Sequence, residues 1–561
     1  MKRRLREQFT WILLGLVLQV PGLWVITAHM TDLFTFTGEW CVLVLWSSLR
    51  SRWRLGPGGL AFAWMVLFTL ELFRTAGRLL TAADPQLYDL WFLAEHLVIL
   101  VSDLWGPLAL PTGVLALLCI LLAVGVGVRF LLLPVPDAAD TRRFALGTTV
   151  AALVLAPFPG DTGGRWVTPD WVANVQASLR TWETTQQSIT LDPYGPLQEH
   201  ALVHRPDIGF YVVESYGRVL SQTRSLRSQY YQLLNELAPG LDAQGFHVAS
   251  GWATATVSGG RSWISDASVL MGIGMGHQST WTQIQPHTDR FTHLPAWLEA
   301  NGYTTVVSRP KDRERLGLEI RDDFGWDHTV FADELSYEGT LIGWGGIPDQ
   351  YSLGYVHTQA LPTLEPPRML FFHGVSAHGP WDTIPVLAPS WQEAASQDHA
   401  AESHTEMSAK GTVLRQAKRY GDALDHGGPR LPGRKFPELR RTYFEAITYS
   451  LRATIQSMSD LPPASGHLIV IYGDHQPPFI ARPNNFDVPV HILATNPDWL
   501  APFLASGFTP GLRPKTKARA IPITGLYPLL ARALTDDPLS EVPTGIALLD
   551  LASRATTSGA E

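Results

Sequence analysis

The sequence predicts a chain in two parts, an N-terminal α-helical transmembrane bundle followed by a soluble α/β domain built on a mostly parallel sheet. Three observations predict it. At 561 residues the chain is too long for one compact core. Its apolar residues are spread unevenly: Leu, Val, Trp and Phe crowd the stretch from Met1 to about Pro159, whereas the remainder alternates short apolar runs with Gly, Pro and charged clusters. Within that remainder, five short β-rich runs recur between helical or loop-rich stretches.

In the first part, apolar runs cover Trp11–Thr27, Phe34–Leu49, Gly58–Phe73, Leu110–Leu133 and Phe144–Phe158. Several fall short of the ~20 residues a helix needs to cross a bilayer core. A further apolar stretch, Trp91–Leu110, carries Glu95, His96 and Asp103, each costly at mid-bilayer, and reads as interfacial or re-entrant. Basic clusters at Lys2, Arg3, Arg4 and Arg6, at Arg50, Arg52 and Arg54, and at Arg142 and Arg143 check the count. Five spans with a cytoplasmic N-terminus put all three clusters on the cytoplasmic side and the soluble domain outside, although Arg74 and Arg78 then lie on the wrong side. No small-residue cleavage site follows the first run, so it is expected to be retained as a span rather than cleaved.

Residues 160–205 are polar and expected to be a connector with one amphipathic helix around Trp171–Gln187. A soluble domain over 206–535 follows, with a polar insertion at 387–437 and a tail at 536–561. A formal net charge of -8 supplies no basic face, so nucleic acid is not an expected partner. The two cysteines, Cys41 and Cys119, lie in apolar segments, so no disulfide framework staples the soluble part.

The five β-rich runs are Ile208–Val213, Tyr303–Val307, Met369–Val375, Leu468–Tyr472 and Val488–Leu493. Spacing of this kind predicts a mostly parallel sheet with helices on both faces, and such sheets bind ligands beyond the carboxyl ends of their strands. Those ends are readable: Glu214 follows the first run, Ser376-Ala-His378 the third, and Asp474 with His475 the fourth. Oxygen and nitrogen donors converging on one sheet edge suit a divalent transition metal, zinc or manganese. Taken singly, each residue has a plainer use: Gly-Asp as a turn, Glu214 as a helix-start carboxylate, His378 as a loop histidine before Gly-Pro.

Between the first two runs lies Val-Ser-Gly-Gly-Arg-Ser262-Trp-Ile-Ser-Asp-Ala-Ser. Gly259 and Gly260 permit close backbone approach, and Ser262 stands where a helix running toward Met271 begins. A hydroxyl there lies near free backbone N–H groups suited to a developing oxyanion, and metal coordination would activate it as a nucleophile. The same position also suits a plain N-cap, and Ser258 and Ser265 are rival hydroxyls.

The ordered set of Glu214 after a strand, Gly-Arg-Ser262, Trp-Gly-Gly-Ile-Pro-Asp349, Ser-Ala-His378 and Gly-Asp474-His475 resembles the alkaline phosphatase and sulfatase superfamily. Within it, the likeness is to the five-span, extracytoplasmic branch typified by lipoteichoic acid synthase and related phosphoglycerol transferases. It covers the membrane part loosely and about Asp207–Leu534 more closely. The resemblance implies an alkaline phosphatase-like α/β/α sandwich with one divalent ion, manganese or zinc, held by Glu214, Ser262, Asp474 and His475. It further implies Ser262 as nucleophile and His378 on the phosphate side. The branch usually carries Thr where this chain has Ser262, a change that keeps the hydroxyl. The Cys-or-Ser, Pro-or-Ala, Arg pattern of formylglycine sulfatases is missing from Ser262-Trp-Ile-Ser-Asp, which disfavours sulfate-ester hydrolysis.

Where relatives hold part of a head-group pocket, this chain reads Ser308-Arg-Pro-Lys-Asp-Arg-Glu-Arg315. Arg309 or Lys311 is expected to clamp an anionic oxygen, unless the run is simply a solvated face. The expected function is a metal-dependent extracytoplasmic phosphotransferase of the multi-pass cell membrane. It would move a phosphoglycerol- or phosphoethanolamine-type head group from a membrane lipid donor to an envelope glycan or lipid acceptor through a Ser-linked intermediate. Hydrolysis by water would use every one of these residues, and a membrane-anchored binding protein without catalysis is the alternative of another class. His399, His404 and His426, inside the polar insertion, are expected to be loop residues rather than ligands.

Overall fold

The computed structural model describes residues 167–313, 323–342, 345–379, 381, 383–396, 437–478, 480–481, 485–535, 539 and 542–547, with 42–43, 57–81, 86–89, 92, 112 and 125–128 from the N-terminal part. Two compact units divide between Leu179 and Arg180. In the first, Pro57–Thr81 forms a helix across the expected span Gly58–Phe73. A helix over Val167–Ser188, whose residues fall partly in each unit, is longer than the one expected around Trp171–Gln187. The Leu87 and Tyr88 amides donate to Asn174 Oδ1 at 3.0 Å and Ser178 Oγ at 3.3 Å on that helix. Among the described residues no helix is long and apolar enough to cross a membrane. The expected spans Trp11–Thr27, Phe34–Leu49, Leu110–Leu133 and Phe144–Phe158, the stretch Trp91–Leu110 and residues 397–436 of the insertion lie wholly or almost wholly outside the described residues.

The second unit is organised by a nine-stranded sheet. In chain order its strands and their small companions are β1 (Asp207–Val213), β2 (His247–Thr254), β3 (Ile273–Gly274), β4 (Thr304–Arg309), β5 (His328–Phe331), β6 (Arg368–His373), β7 (His467–Gly473), β8 (Asp487–Ala494), β9 (Thr509–Pro510), β10 (Ile521–Pro522) and β11 (Ile546–Ala547). The order is β10-β2-β8-β7-β1-β6-β4-β5, with β9 on β2 and with β3 and β11 pairing apart. All five runs anticipated from the sequence are strands. From β7 through β1, β6 and β4 to β5 every pair is parallel, but β8 runs antiparallel to both β7 and β2. The sheet is therefore mixed, with its parallel half carrying the strand ends of interest.

Alternation along the strands separates two apolar layers. Ile208, Phe210 and Val212 of β1, with Met369 and Phe371 of β6, pack on one face beside helices Ser262–Met271 and Leu526–Thr535. Tyr211 and Val213, with Leu370 and Phe372, pack on the other beside helices Arg224–Ala243 and Pro437–Ser457. At the N-terminal edge Arg368 locks β6 to β1: its Nε donates to Asp207 Oδ2 at 2.8 Å and its amide to Oδ1 at 2.9 Å. The opposite edge is left free for chemistry.

Candidate active site

Register delivers the site. Val212 of β1 pairs with His373 of β6 on one side and Tyr472 of β7 on the other, so the residues just beyond these positions emerge at one level. Glu214 leaves β1, Asp474 and His475 leave β7, and His373 is itself the last residue of β6. The loops after β1 and β7 lie on each other so closely that a Cβ at Gly473 would collide with the Tyr216 carbonyl oxygen. Only glycine fits there.

Ser262 arrives by a different route. Gly259 (φ 73°), Gly260 (φ 137°) and Arg261 (φ 67°) are three consecutive residues with positive φ, and they swing the chain into the helix Ser262–Met271. Arg261 occupies the cap position without a side-chain cap bond, and Ser262 is the first helical residue. Its Oγ donates to Glu214 Oε2 at 3.1 Å and lies 3.3 Å from His475 Nε2. The rival hydroxyls are otherwise engaged, Ser258 with the Asn485 carbonyl and Ser265 with the Asp474 carbonyl.

His475 Nε2 is 3.2 Å from Glu214 Oε1 and 3.2 Å from Asp474 Oδ2, while its Nδ1–H donates to the Gln476 carbonyl at 2.9 Å. Glu214, Ser262, Asp474 and His475, brought together from three places in the sequence, are thus in mutual contact and all buried. Two residues that the sequence did not single out complete the cluster. His373 Nε2 lies 3.0 Å from Glu214 Oε2 and its Nδ1 2.7 Å from Asp266 Oδ2. Asp266 stands one turn after Ser262 on the same helix. His373 had a signal: paired with Val212, two residues before Glu214, it ends its strand at the same edge.

Charge in this pocket is held by protons. Burial opposes ionisation of Glu214, yet His378, His373 and His475 together keep its carboxyl well below the usual carboxylate range. Burial and the neighbouring Glu214 charge push Asp474 up to about 6. Burial disfavours protonation of His373 and His475, but Asp266 and Glu214 raise the former to about 10, and Asp474 and Glu214 raise the latter to about 9. Asp474 Oδ2 is buried without a hydrogen-bond partner, and donor atoms of Glu214, His373 and Asp474 lie within 4.8 Å of one another. A buried carboxylate oxygen that makes no hydrogen bond and lies 3.2 Å from the His475 ring, among converging acidic and imidazole donors, fits a divalent cation, which would stand in for the protons.

His378, in the loop after β6, is partly exposed and turns its Nδ1–H to the Gly379 carbonyl at 2.6 Å. Burial pushes it down to about 4, opposed by the Glu214 charge and assisted by that of Lys311. Its loop is held by Asp349, whose Oδ1 accepts from the Val375 and Ser376 amides at 2.7 and 3.0 Å and whose Oδ2 accepts from Ser450 Oγ at 2.7 Å. Arg309 ends β4 at the same edge, partly buried and 3.8 Å from Asp312.

No protein-family model and no curated protein matches the chain. Among solved structures it is similar to the lipoteichoic acid synthase LtaP from Listeria monocytogenes, with 15% identity over 63% of this chain and 80% of that one and a TM-score of 0.36. It is similar also to lipooligosaccharide phosphoethanolamine transferase A from Neisseria meningitidis, with 11% identity over 91% of this chain and 98% of that one and a TM-score of 0.44. A third is the Streptococcus pyogenes phosphoglycerol transferase GacH in complex with sn-glycerol-1-phosphate, with 11% identity, 67% and 92% coverage and a TM-score of 0.32. These likenesses are too distant to assign an activity.

Proposed function

We propose that the chain is a membrane-moored phosphotransferase in which Ser262 takes a phospho-head group from a lipid and passes it to an envelope acceptor. One observation carries the reading. The hydroxyl of Ser262 leaves the capping role and points into a buried acid–imidazole cluster, touching Glu214 Oε2 and His475 Nε2 at once. Glu214, Asp474, His475 and Ser262 would hold one divalent ion, zinc or manganese, with His373 beside them. When bound, that ion supplies Lewis-acid activation of the hydroxyl and neutralises charge on phosphate oxygens.

The residues of the chain supply the rest. Ser262 Oγ, positioned by the turn at residues 259–261, forms the bond to phosphorus while the bond from phosphorus to the lipid alcohol breaks. Glu214 Oε2 already accepts the hydrogen of that hydroxyl, so the proton has a place to go. The first amides of the helix Ser262–Met271 face the phosphate oxygens. His378 reaches in from the β6 loop to hold the transferred phosphate or the incoming hydroxyl, and Lys311 and Arg309 add positive charge on that side. An acceptor hydroxyl then displaces Oγ and restores Ser262. The apolar runs of residues 1–159 would moor this unit at the outer membrane surface as five spans, where an amphiphilic donor is locally concentrated.

The test is Ser262→Ala with labelled phosphatidylglycerol and phosphatidylethanolamine as donors. Turnover is expected to fall by at least about 10³-fold with the melting temperature nearly unchanged, and label recovered on glycan or lipid acceptors identifies transfer. Turnover equal to the parent protein's refutes the assignment, and label recovered only as free phosphate or head group identifies hydrolysis.

A further inference from the structure

The helix Val167–Ser188 is built inside out. Its inner stripe is hydroxyl-bearing: Ser178, Thr181, Thr184, Thr185 and Ser188 are all buried. Thr185 Oγ1 donates to the Thr181 carbonyl at 2.7 Å and Ser188 Oγ to the Thr184 carbonyl at 2.8 Å. Its outer side carries Val172, Val175, Leu179 and Trp182, which are 50%, 44%, 55% and 46% exposed. Steps of three, four and three residues align these four in one stripe. Gln176, Arg180, Glu183 and Gln187, also exposed, form a polar stripe alongside it. A helix in water does the reverse, burying its apolar stripe and showing its hydroxyls. Apolar and polar stripes side by side on the open surface suit a boundary between two media.

We propose that the stripe Val172–Val175–Leu179–Trp182 lies in the interfacial layer of the lipid bilayer, with the polar stripe toward water. This rests on the membrane-moored reading above. Reach supports lipid as the occupant: the last of the five expected spans ends at Phe158, and a fully extended chain from there to Val167 spans at most about 30 Å. The helix is therefore tethered close to where that run leaves the bilayer, and an indole at the edge of the stripe is the side chain favoured at the headgroup level. At its C-terminal end the helix meets Gln278–Ile284, through Thr185 and Thr280 hydroxyls 3.4 Å apart and through Gln186 donating to Gln283. Gln278 of that short helix accepts the indole N–H of Trp263 at 2.9 Å. Trp263 follows the nucleophile and is itself 47% exposed. Two hydrogen-bonded steps thus join the C-terminal turn of this helix to the helix that presents Ser262.

The experiment uses the full chain in phosphatidylglycerol–phosphatidylethanolamine nanodiscs. Spin labels are placed singly through Val175→Cys and Leu179→Cys, with Gln176→Cys and Glu183→Cys as polar-stripe controls, in a Cys41→Ser, Cys119→Ser background. Accessibility to oxygen relative to a water-soluble nickel chelate is expected to be about fivefold or more higher on the apolar stripe than on the controls, as for side chains ~5–10 Å into the headgroup layer. Equal, nickel-accessible labels on both stripes overturn the proposal, as do labels on the apolar stripe shielded from both probes, which would mean a protein cover. A chain released by carbonate overturns the mooring itself, so the two failures are told apart. Independently, Val175→Glu with Leu179→Glu is expected to lower turnover of vesicle-borne donor by about tenfold while leaving hydrolysis of soluble bis(p-nitrophenyl) phosphate unchanged. Equal loss on both substrates also counts against it.

Discussion

At Glu214 the carboxylate is positioned by a side chain far along the chain that need never touch a substrate. Tyr443, fully buried, donates its hydroxyl hydrogen to the Ser215 carbonyl at 2.9 Å and accepts from the Gly217 amide at 3.3 Å. Ser215 is held at φ 59°, and its amide donates to Asp474 Oδ1 at 2.8 Å. One phenol thereby fixes the loop that joins the two carboxylates. Tyr443→Phe keeps the ring against Trp381 but leaves those backbone groups unpaired, at a cost of about 1–3 kcal/mol. Affinity for zinc or manganese, measured by chelator competition, is expected to fall by about tenfold. An unchanged affinity would show that the loop holds Glu214 without Tyr443. Residues at this scale were legible where they directly follow a strand, as Glu214, Asp474 and His475 do. Tyr443 and Asp266 were not, because a helix-borne residue reveals its partners only once the helix is packed; His373 was passed over as strand interior.

Among the elements, the helix Pro437–Ser457 binds the loops after β1 and β6 with one face. Tyr443 and Ser450, seven residues apart, reach the loop after β1 and, through Asp349, the loop after β6. Asp349→Ala removes the acceptor for two amides and one hydroxyl, all buried. The expected loss is on the order of 3 kcal/mol in denaturant unfolding, with activity at low temperature falling further as the His378 loop loosens. A loss below roughly 0.5 kcal/mol would mean that the clamp is redundant. The β-rich runs gave away five strands because Val, Ile, Leu, Phe and Tyr dominate them. They did not give the direction of β8, since an apolar run looks the same read either way. They also omitted β2, His-Val-Ala-Ser-Gly-Trp-Ala-Thr, whose small residues match no strand pattern; a Cβ at Gly251 would meet the Phe508 ring at 2.9 Å, so the strand is thin where Phe508 packs on it.

For the molecule as a whole, the buried neutral histidines His357 and His491 contribute to the acid limit among the described residues. His357 turns Nδ1–H to the Ser457 carbonyl at 2.8 Å and faces Tyr211 OH with Nε2 at 2.9 Å, and burial pushes it down to about 4. His491, between Ser250 and Tyr216, is pushed by burial to about 3. Unfolded, both bind a proton below about 6.5. The unfolded state thus holds more protons between roughly pH 6.5 and 3, and the stability present above that window is lost progressively as pH falls through it. Urea unfolding at pH 7.5 and 5.0 is expected to show a lower midpoint at pH 5.0; equal midpoints would mean that these histidines are solvated when folded. The α/β character of the soluble part was legible from its strand spacing. Which hydroxyl would meet which carboxylate was named only by the family resemblance, because that depends on a sheet order, β7-β1-β6, that no local pattern encodes. The measurement closest to the central claim is the site of the covalent intermediate. The full chain in nanodiscs, supplied with zinc or manganese and head-group-labelled phospholipid, is quenched in acid, digested and mapped by mass spectrometry. The account predicts a phospho-head-group adduct on the peptide carrying Ser262, missing from Ser262→Ala and strongly reduced in Glu214→Gln. An adduct on another residue, or product formed with no adduct at any quench time, would contradict it.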